Sequence, residues 1–210
     1  MRAKRGIERF WLSIADPRHV DVAGEQVPDR MLVAFAGAGS WSLLGTSEGR
    51  PAEMWSASRA LGDRNAPDRR IWDVAYHGQT AESEPPPVHA DIAVTQSRLL
   101  TALGEAESFA RERKEVEGWA DWFADARRLA SGADLGTRDF PDMLPPQGFS
   151  EPARRLLATA AHSWVFGGMG SWNDLTFEGK AEEDYEAISA ELYAGVLGAF
   201  VAAANSDLEV

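Results

Sequence analysis

The rhythm of apolar residues along this chain changes once, near Asp91, and that change sets what the chain can fold into. Beyond it, Leu99, Leu103, Ala106 and Ala110 fall on one stripe, with Leu100 and Phe109 beside it. Val116, Trp119, Phe123, Ala126 and Ala130 continue the three-and-four spacing that lines one face of an α-helix. The charged run from Arg111 to Glu115, or Gly118, divides this stretch into two helices. Residues 133–148 are rich in Asp, Pro and Gly and read as a loop. A third helix opens at a capping residue, Ser150, and turns Ala153, Leu156, Leu157, Ala160 and Trp164 inward before ending at Gly167-Gly168. The last helix runs from Ala181 to Ala204. Tyr185, Ile188, Leu192, Val196 and Phe200 share one face, and Glu182, Glu183, Glu186 and Glu191 contribute to its charged side.

Before Asp91 the punctuation is denser. Ile7, Phe10, Trp11 and Ile14 have helical spacing, which predicts a short amphipathic helix over Gly6–Ala15 stopped by Pro17. The apolar run Met31–Ala36, after Pro28-Asp29, reads as a buried strand, and Ser40–Thr46 as a second. Gly37-Ala38-Gly39-Ser40 would then be their hairpin loop. Pro51–Leu61 has proline in its first turn and Gly62 past its end, the punctuation of a helix. Ile71–Tyr76 is a third strand, and Gly78–Pro87, with three consecutive prolines, has linker chemistry. The expected fold is α+β, with a small few-stranded N-terminal sheet and a predominantly helical C-terminal part. We expect a single domain over residues 1–210 in two parts, mixed and loop-rich over 1–88 and helical over 89–210. The helices would pack on the small sheet, since three short strands alone are barely stable. Two independent domains are the alternative.

Charge narrows the partners. The 210 residues carry 21 Lys and Arg against 33 Asp and Glu, a net charge of -12. Residues 1–105 hold 12 basic and 14 acidic side chains and residues 106–210 hold 9 and 19, so the acidity belongs to the helical part. Such a balance argues against a nucleic-acid binder, which needs a basic face to release counterions. It suits a basic protein partner, or else it is the ordinary solvated face of Glu-rich helices. With no cysteine there is no disulfide, no Cys-ligated metal and no thiol nucleophile. Glu8, Arg9 and Asp16 interrupt what would be the apolar core of a signal peptide after the basic start. The most apolar stretch, Leu192–Ala204, falls short of the ~20 residues that span a bilayer. The expectation is a cytoplasmic protein with no membrane partner and no cofactor, its oligomeric state left open.

No catalytic set assembles itself from spacing. His19 with Asp21, and His89 with Asp91, could each present two ligands on one side of an extended strand, with His77, Glu82 or Glu84 as a third. Established zinc spacings are missing, and turn histidines beside incidental acids explain the pairs as well, so no metal is expected. Gly37-Ala38-Gly39-Ser40-Trp41 and Gly168-Met169-Gly170-Ser171-Trp172 both lack the closing glycine of a nucleophile elbow. His162 lies one residue off its helix's apolar stripe and reads as a half-buried packing residue. Trp119, Trp122 and Phe123 read as core, with Asp121 and Asp125 beside them to repel phosphate.

The least average segment is Trp164-Val165-Phe166-Gly167-Gly168-Met169-Gly170-Ser171-Trp172-Asn173-Asp174. Glycines there permit positive φ and close approach, and tryptophans flank them. One reading is a recognition turn whose binding residues are Trp164, Gly168, Met169, Gly170, Trp172, Asn173 and Asp174. The other is a helix C-cap followed by a tight turn, with both tryptophans in the core. The glycines follow a helix instead of opening one, so this is no phosphate cradle.

Residues Trp164 to Asn205 resemble the C-terminal part of small uncharacterised bacterial proteins. The resemblance is carried by the Gly-Gly-Met-Gly-Ser-Trp-Asn-Asp turn, the Tyr185-Glu186 helix and an Ala-rich tail with Asn205. It covers about a fifth of the chain and brings no catalytic residues. What it implies is a bacterial accessory protein of the immunity type, one that neutralises a toxin. The functional expectation is thus a non-enzymatic protein-binding module, an immunity-type protein facing a basic toxin. The alternative is a small enzyme or ligand-binding protein with a pocket near the Gly168–Asp174 turn.

Overall fold

A computed structural model describes residues 6–14, 19–33, 41–67, 71–81, 91–133, 149–167 and 170–206. The chain is α+β and divides into two compact units, one from residues 1–15 and 40–88, the other from residues 16–39 and 89–210. The short segment 16–39 therefore belongs with the helices, although it precedes most of the sheet.

The first unit is a four-stranded antiparallel sheet in the order β1 (Arg9–Ile14), β4 (Trp41–Thr46), β5 (Glu53–Leu61), β6 (Trp72–Thr80). Two expected helices are strands. Arg9–Ile14 pairs along its whole length with β4, burying Trp11 opposite Leu44. Trp11 and Ile14 are spaced as on a helix, but Phe10 and Leu12 alternate with Trp11 across a sheet with two apolar faces. Likewise Glu53–Leu61 is β5 and not a helix opened by Pro51: Trp55 and Met54 lie on opposite faces and are claimed by β4. Trp11, Leu44 and Ala52, with Met54 and Ala81 against them, form the core on one face. On the other, the Trp55 ring covers Gly78 of β6, where an added Cβ would stand 2.6 Å from the indole. Strand β6 starts where expected but runs on to Thr80, through the front of the presumed linker.

The second unit begins with a hairpin, β2 (His19–Val22) and β3 (Glu25–Pro28). Its two-residue turn has Ala23 at φ 56° and Gly24 at φ 91°, the doubly positive pattern whose twist matches paired strands. A single helical turn, α1 (Asp29–Leu32), follows where a strand beginning at Met31 was expected. The difference has a visible cause: Asp29 and Arg30 are buried and anchored by side chains of the helices (below), so the segment is held by polar contacts and not by strand pairing. The expected hairpin loop 37–40 and the remainder of that strand lie outside the described residues, apart from Val33, and so does the expected loop 134–148.

Four longer helices follow among the described residues of this unit: α2 (Ile92–Arg111), α3 (Glu117–Ala130), α4 (Glu151–His162) and α5 (Lys180–Asn205). The expected stripe is the core, with Leu99, Leu103, Ala106 and Ala110 buried on α2 and Phe123, Ala126 and Ala130 on α3. Caps stop and start these helices as their residues predict. The Asp91 carboxylate accepts from the amides of Ala93 and Val94, and the Ser150 hydroxyl from Ala153. Helix α4 ends at His162, five residues before the glycines expected to end it. Helix α5 is long and apolar enough to cross a membrane by length and composition alone, although the sequence predicts too short a run. Its Tyr185, Leu192, Val196 and Ala199 are buried in the unit's core.

Candidate functional site

Two elements far apart in sequence build the site. From α3, Trp119 and Trp122 project three residues apart, hence from neighbouring positions on the helix surface. From the segment after α4, Trp164, Val165, Phe166 and Gly167 run without helical structure, and Ser171 returns beside them. Together these seven residues line a cavity of about 290 Å³. None of them is charged. The walls are indole and phenyl surface, with the Ser171 hydroxyl, donating to the Gly167 carbonyl at 3.1 Å, as the polar side chain. A wider depression of about 500 Å³ between α2 and α5 is lined by Glu105, Glu112, Arg113 and Asp184 and has no comparable aromatic convergence.

Each tryptophan is held from behind. The Trp122 indole stacks on His162 with ring centroids 4.3 Å apart and planes 12° apart, and its Nε1 donates to the His162 carbonyl at 2.9 Å. His162 is half-buried, as expected, and its Nε2 is buried without a partner. Trp119 meets Trp172 edge-on at 5.8 Å and stacks on Phe123 at 6.2 Å. Trp164 leans on Tyr193 and Phe200 of α5. Such partners remove rotamer freedom, so the cavity walls are set before anything enters.

The predicted turn separates into three roles. Trp164 lines the cavity. Trp172 is completely buried, surrounded by Phe109, Trp119, Phe123 and Tyr185. Its backbone amide donates to Val165 at 3.1 Å, its indole Nε1 to Ser189 at 2.7 Å, and its carbonyl accepts from the Tyr185 hydroxyl at 2.6 Å. Burial pushes the Tyr185 hydroxyl above the usual tyrosine range, against the lowering influence of the nearby Arg30. Asp174 is exposed and ties the turn by accepting from the Ser171 amide at 3.1 Å. Gly170 takes φ 84°, a value that asks for glycine. Gly168 and Met169 lie outside the described residues.

Asn173 was singled out as a binding residue, and what it holds is this chain's own α1. Its side-chain amide donates to the Arg30 carbonyl at 2.7 Å, and its Oδ1 accepts from Arg30 Nη1 at 2.8 Å. Arg30 is 2% exposed, with its guanidinium 5.5 Å from the Tyr185 ring centre. Its Nη2 stands 2.5 Å from a Glu186 carboxylate oxygen, yet neither Nη2 nor Nε has an aligned hydrogen-bond acceptor. The pair is an ionic contact rather than a bidentate one. Next to it, the Tyr193 hydroxyl donates to buried Asp29 at 2.7 Å. This polar latch was invisible in the sequence, where Asp29-Arg30 looks like any charged pair at a turn.

The charged side chains of α3 lie outside the cavity lining. Glu117, Asp121 and Asp125 form a row at every fourth residue of α3 alongside Trp122, although Asp121 and Asp125 have arginine partners in Arg111 and Arg128. Helix α4 ends two residues before Trp164, and its last carbonyls are engaged: Thr159 and Ala161 accept from the Ser163 and Trp164 amides and His162 accepts from Trp122. Of the expected metal pairs, the side chains of His19 and Asp21 and the whole of His89 are outside what is described. His77 is exposed and bonds Ser58 at 2.9 Å. Among the described residues no group of three potential ligands could hold a metal.

No protein-family model, no curated protein and no solved structure matches this chain.

Proposed function

We propose that the chain is a non-enzymatic protein-binding module that captures a lysine or arginine side chain of a basic partner in its three-tryptophan cavity. The observation that carries this reading is the cavity itself. It brings Trp119, Trp122 and Trp164 together without a charged side chain in its walls, and tryptophan is the aromatic residue that best attracts a cation. At about 290 Å³ it lies at the small end of the ~300–1,000 Å³ of small-molecule clefts, a size that suits one side chain. The acidic balance of residues 106–210 supports the same partner by drawing basic surfaces into encounter. A bacterial immunity-type protein that neutralises a basic toxin is the narrower form of this proposal, supported by the resemblance of the turn.

The eight tryptophans supply the test, through their indole N–H resonances. Titration with an arginine-containing peptide should shift the signals of Trp119, Trp122 and Trp164, and the shifts should weaken as salt rises. The same peptide with citrulline, a neutral isostere of arginine, should leave them in place. Equal shifts with both peptides would sink the proposal. A response to choline as strong as to the peptide would favour the ligand-binding alternative. Rescue of cells from one specific toxin by co-expression would support the immunity-type form.

A further inference from the structure

Strand β6 is an edge of the four-stranded sheet among the described strands, and it is unlike an ordinary protected edge. Over nine residues it contains no proline and no lysine, the devices that usually blunt such an edge. Beyond Ser56 the β5–β6 ribbon extends past the pairing with β4. In that extension Trp72 is 53% exposed, Val74 50% and Tyr76 43%, and Leu61 of β5 joins them at 43% on the same face. That face also carries Ala57 and Arg59, and the other carries Ser58, Ala60, Asp73 and Ala75, so the large apolar side chains of the ribbon all lie on one face.

The hydrogen-bond phase decides which backbone groups are free. At the two ends of the ribbon, Gly62 N–H donates to the Ile71 carbonyl and Ala81 N–H to the Ala52 carbonyl, both at 2.9 Å. Antiparallel ladders alternate, so odd-numbered residues of β6 spend their amides and carbonyls on β5. Trp72, Val74 and Tyr76 therefore turn theirs to the open edge. The residues that offer free backbone groups are the same ones that expose apolar side chains.

We infer that β6 pairs antiparallel with β6 of a second copy of this chain, about a two-fold axis at Val74. An axis through any residue of β6 sets even-numbered positions opposite even-numbered ones, so free amides meet free carbonyls and the side chains choose the centre. With Val74 at the axis, Trp72 of each copy lies beside Tyr76 of the other, joining the two apolar stripes on one face. Asp73 then faces the second copy's Ala75, so no like charges meet. A centre at Ala75 would set Trp72 against Gly78 and one at Tyr76 would set it against Thr80, wasting the aromatic match, and a centre at Asp73 would bring two carboxylates together. The occupant is thus a second copy, because the stripe matches itself: Trp72 meets Tyr76 twice and no like charges of β6 face each other. This dimer is independent of the cavity and its cationic ligand.

The test uses the full chain. Light scattering after size exclusion should give twice the monomer mass at high concentration and shift towards the monomer on dilution. Val74→Lys should stay monomeric throughout with an unchanged circular dichroism spectrum. The absence of cysteine gives a second readout that does not depend on that variant folding. In Val74→Cys the two thiols would sit on Cα atoms ~5.5 Å apart, within disulfide reach, and oxidation should link the copies. Thr80→Cys, far from the axis, should remain unlinked. A monomer at every concentration, a dimer that survives Val74→Lys in a folded protein, or equal cross-linking of both cysteine variants would overturn the inference.

Discussion

The two units treat their aromatic side chains in opposite ways. In the helical unit, Phe109, Phe123, Trp172 and Tyr185 are buried together and meet mostly edge-to-face or tilted, with Trp119 and Phe177 closing around them. In the sheet unit Trp11 and Trp55 are buried, whereas Trp72 and Tyr76 stand half in water. Helices converging from several directions can enclose a ring on every side. A single sheet has two faces and an edge, and covers only what its own strands and flanking segments reach. The lesson is that equal aromatic content can produce a closed core in one unit and an unfinished surface in the other.

The hardest blow to this contrast is Trp172→Ala. It removes a fully buried indole together with the Ser189 hydrogen bond, so the helical unit should lose about 3–5 kcal/mol, measured by denaturant unfolding. The Asn173 clamp on Arg30 hangs from the same turn, so the variant should also free α1. Amide exchange at residues 29–33 would report that release. Should the variant unfold at the wild-type midpoint, Trp172 would not be the keystone described here.

In the sheet the informative change adds an atom instead of removing many. Gly78→Ala places a methyl against the Trp55 indole, which must leave its seat over β6, at a cost of about 1–3 kcal/mol. Near-ultraviolet dichroism would detect the displaced ring. An unaltered spectrum and stability would mean that the Trp55 face is loose, and the contrast with the helical core would then be greater than drawn.

These two residues also mark what was legible beforehand. The four long helices were, because Leu99, Leu103, Ala106 and Ala110 repeat at a helical period that only a packed helix face requires. Strands β4 and β6 were read near their true places for the same local reason. Strand β5 was not: Met54, Ser56, Ser58 and Ala60 alternate with Trp55, Ala57, Arg59 and Leu61, and neither row is apolar enough to show a period of two. Pro51 and Gly62 then imitate the ends of a helix. At the site, Trp164 could be singled out from its glycine-rich surroundings. Trp119 and Trp122 were assigned to the core, because their meeting with Trp164 depends on α3 packing against α4, a contact across forty residues. Arg30 was illegible for a different reason. Burying a guanidinium is unfavourable unless partners arrive, and its partners Asn173 and Glu186 come from the other end of the chain.

The smallest effect separates the helical unit by acid. Glu107 on α2 sits mostly buried between Arg127 and Arg111, at 2.7 and 2.9 Å. Burial alone would raise its carboxyl, but hydrogen bonds and charge from the two arginines override it and hold the group below the usual glutamate range. A carboxyl held low in the folded state stabilises the fold above its unfolded value, and that contribution fades as pH falls through the folded one. Near neutral pH, Glu107→Gln should therefore cost about 0.5–1 kcal/mol, the range of a partly exposed ion pair. The gap between wild type and variant should close once the pH drops well below the ordinary glutamate value of about 4.3. Thermal unfolding followed through the indole signals of Trp172 and Trp55 reads the two units separately. The gap should appear at Trp172, and its persistence at low pH would show that Glu107 contributes by packing and not by charge.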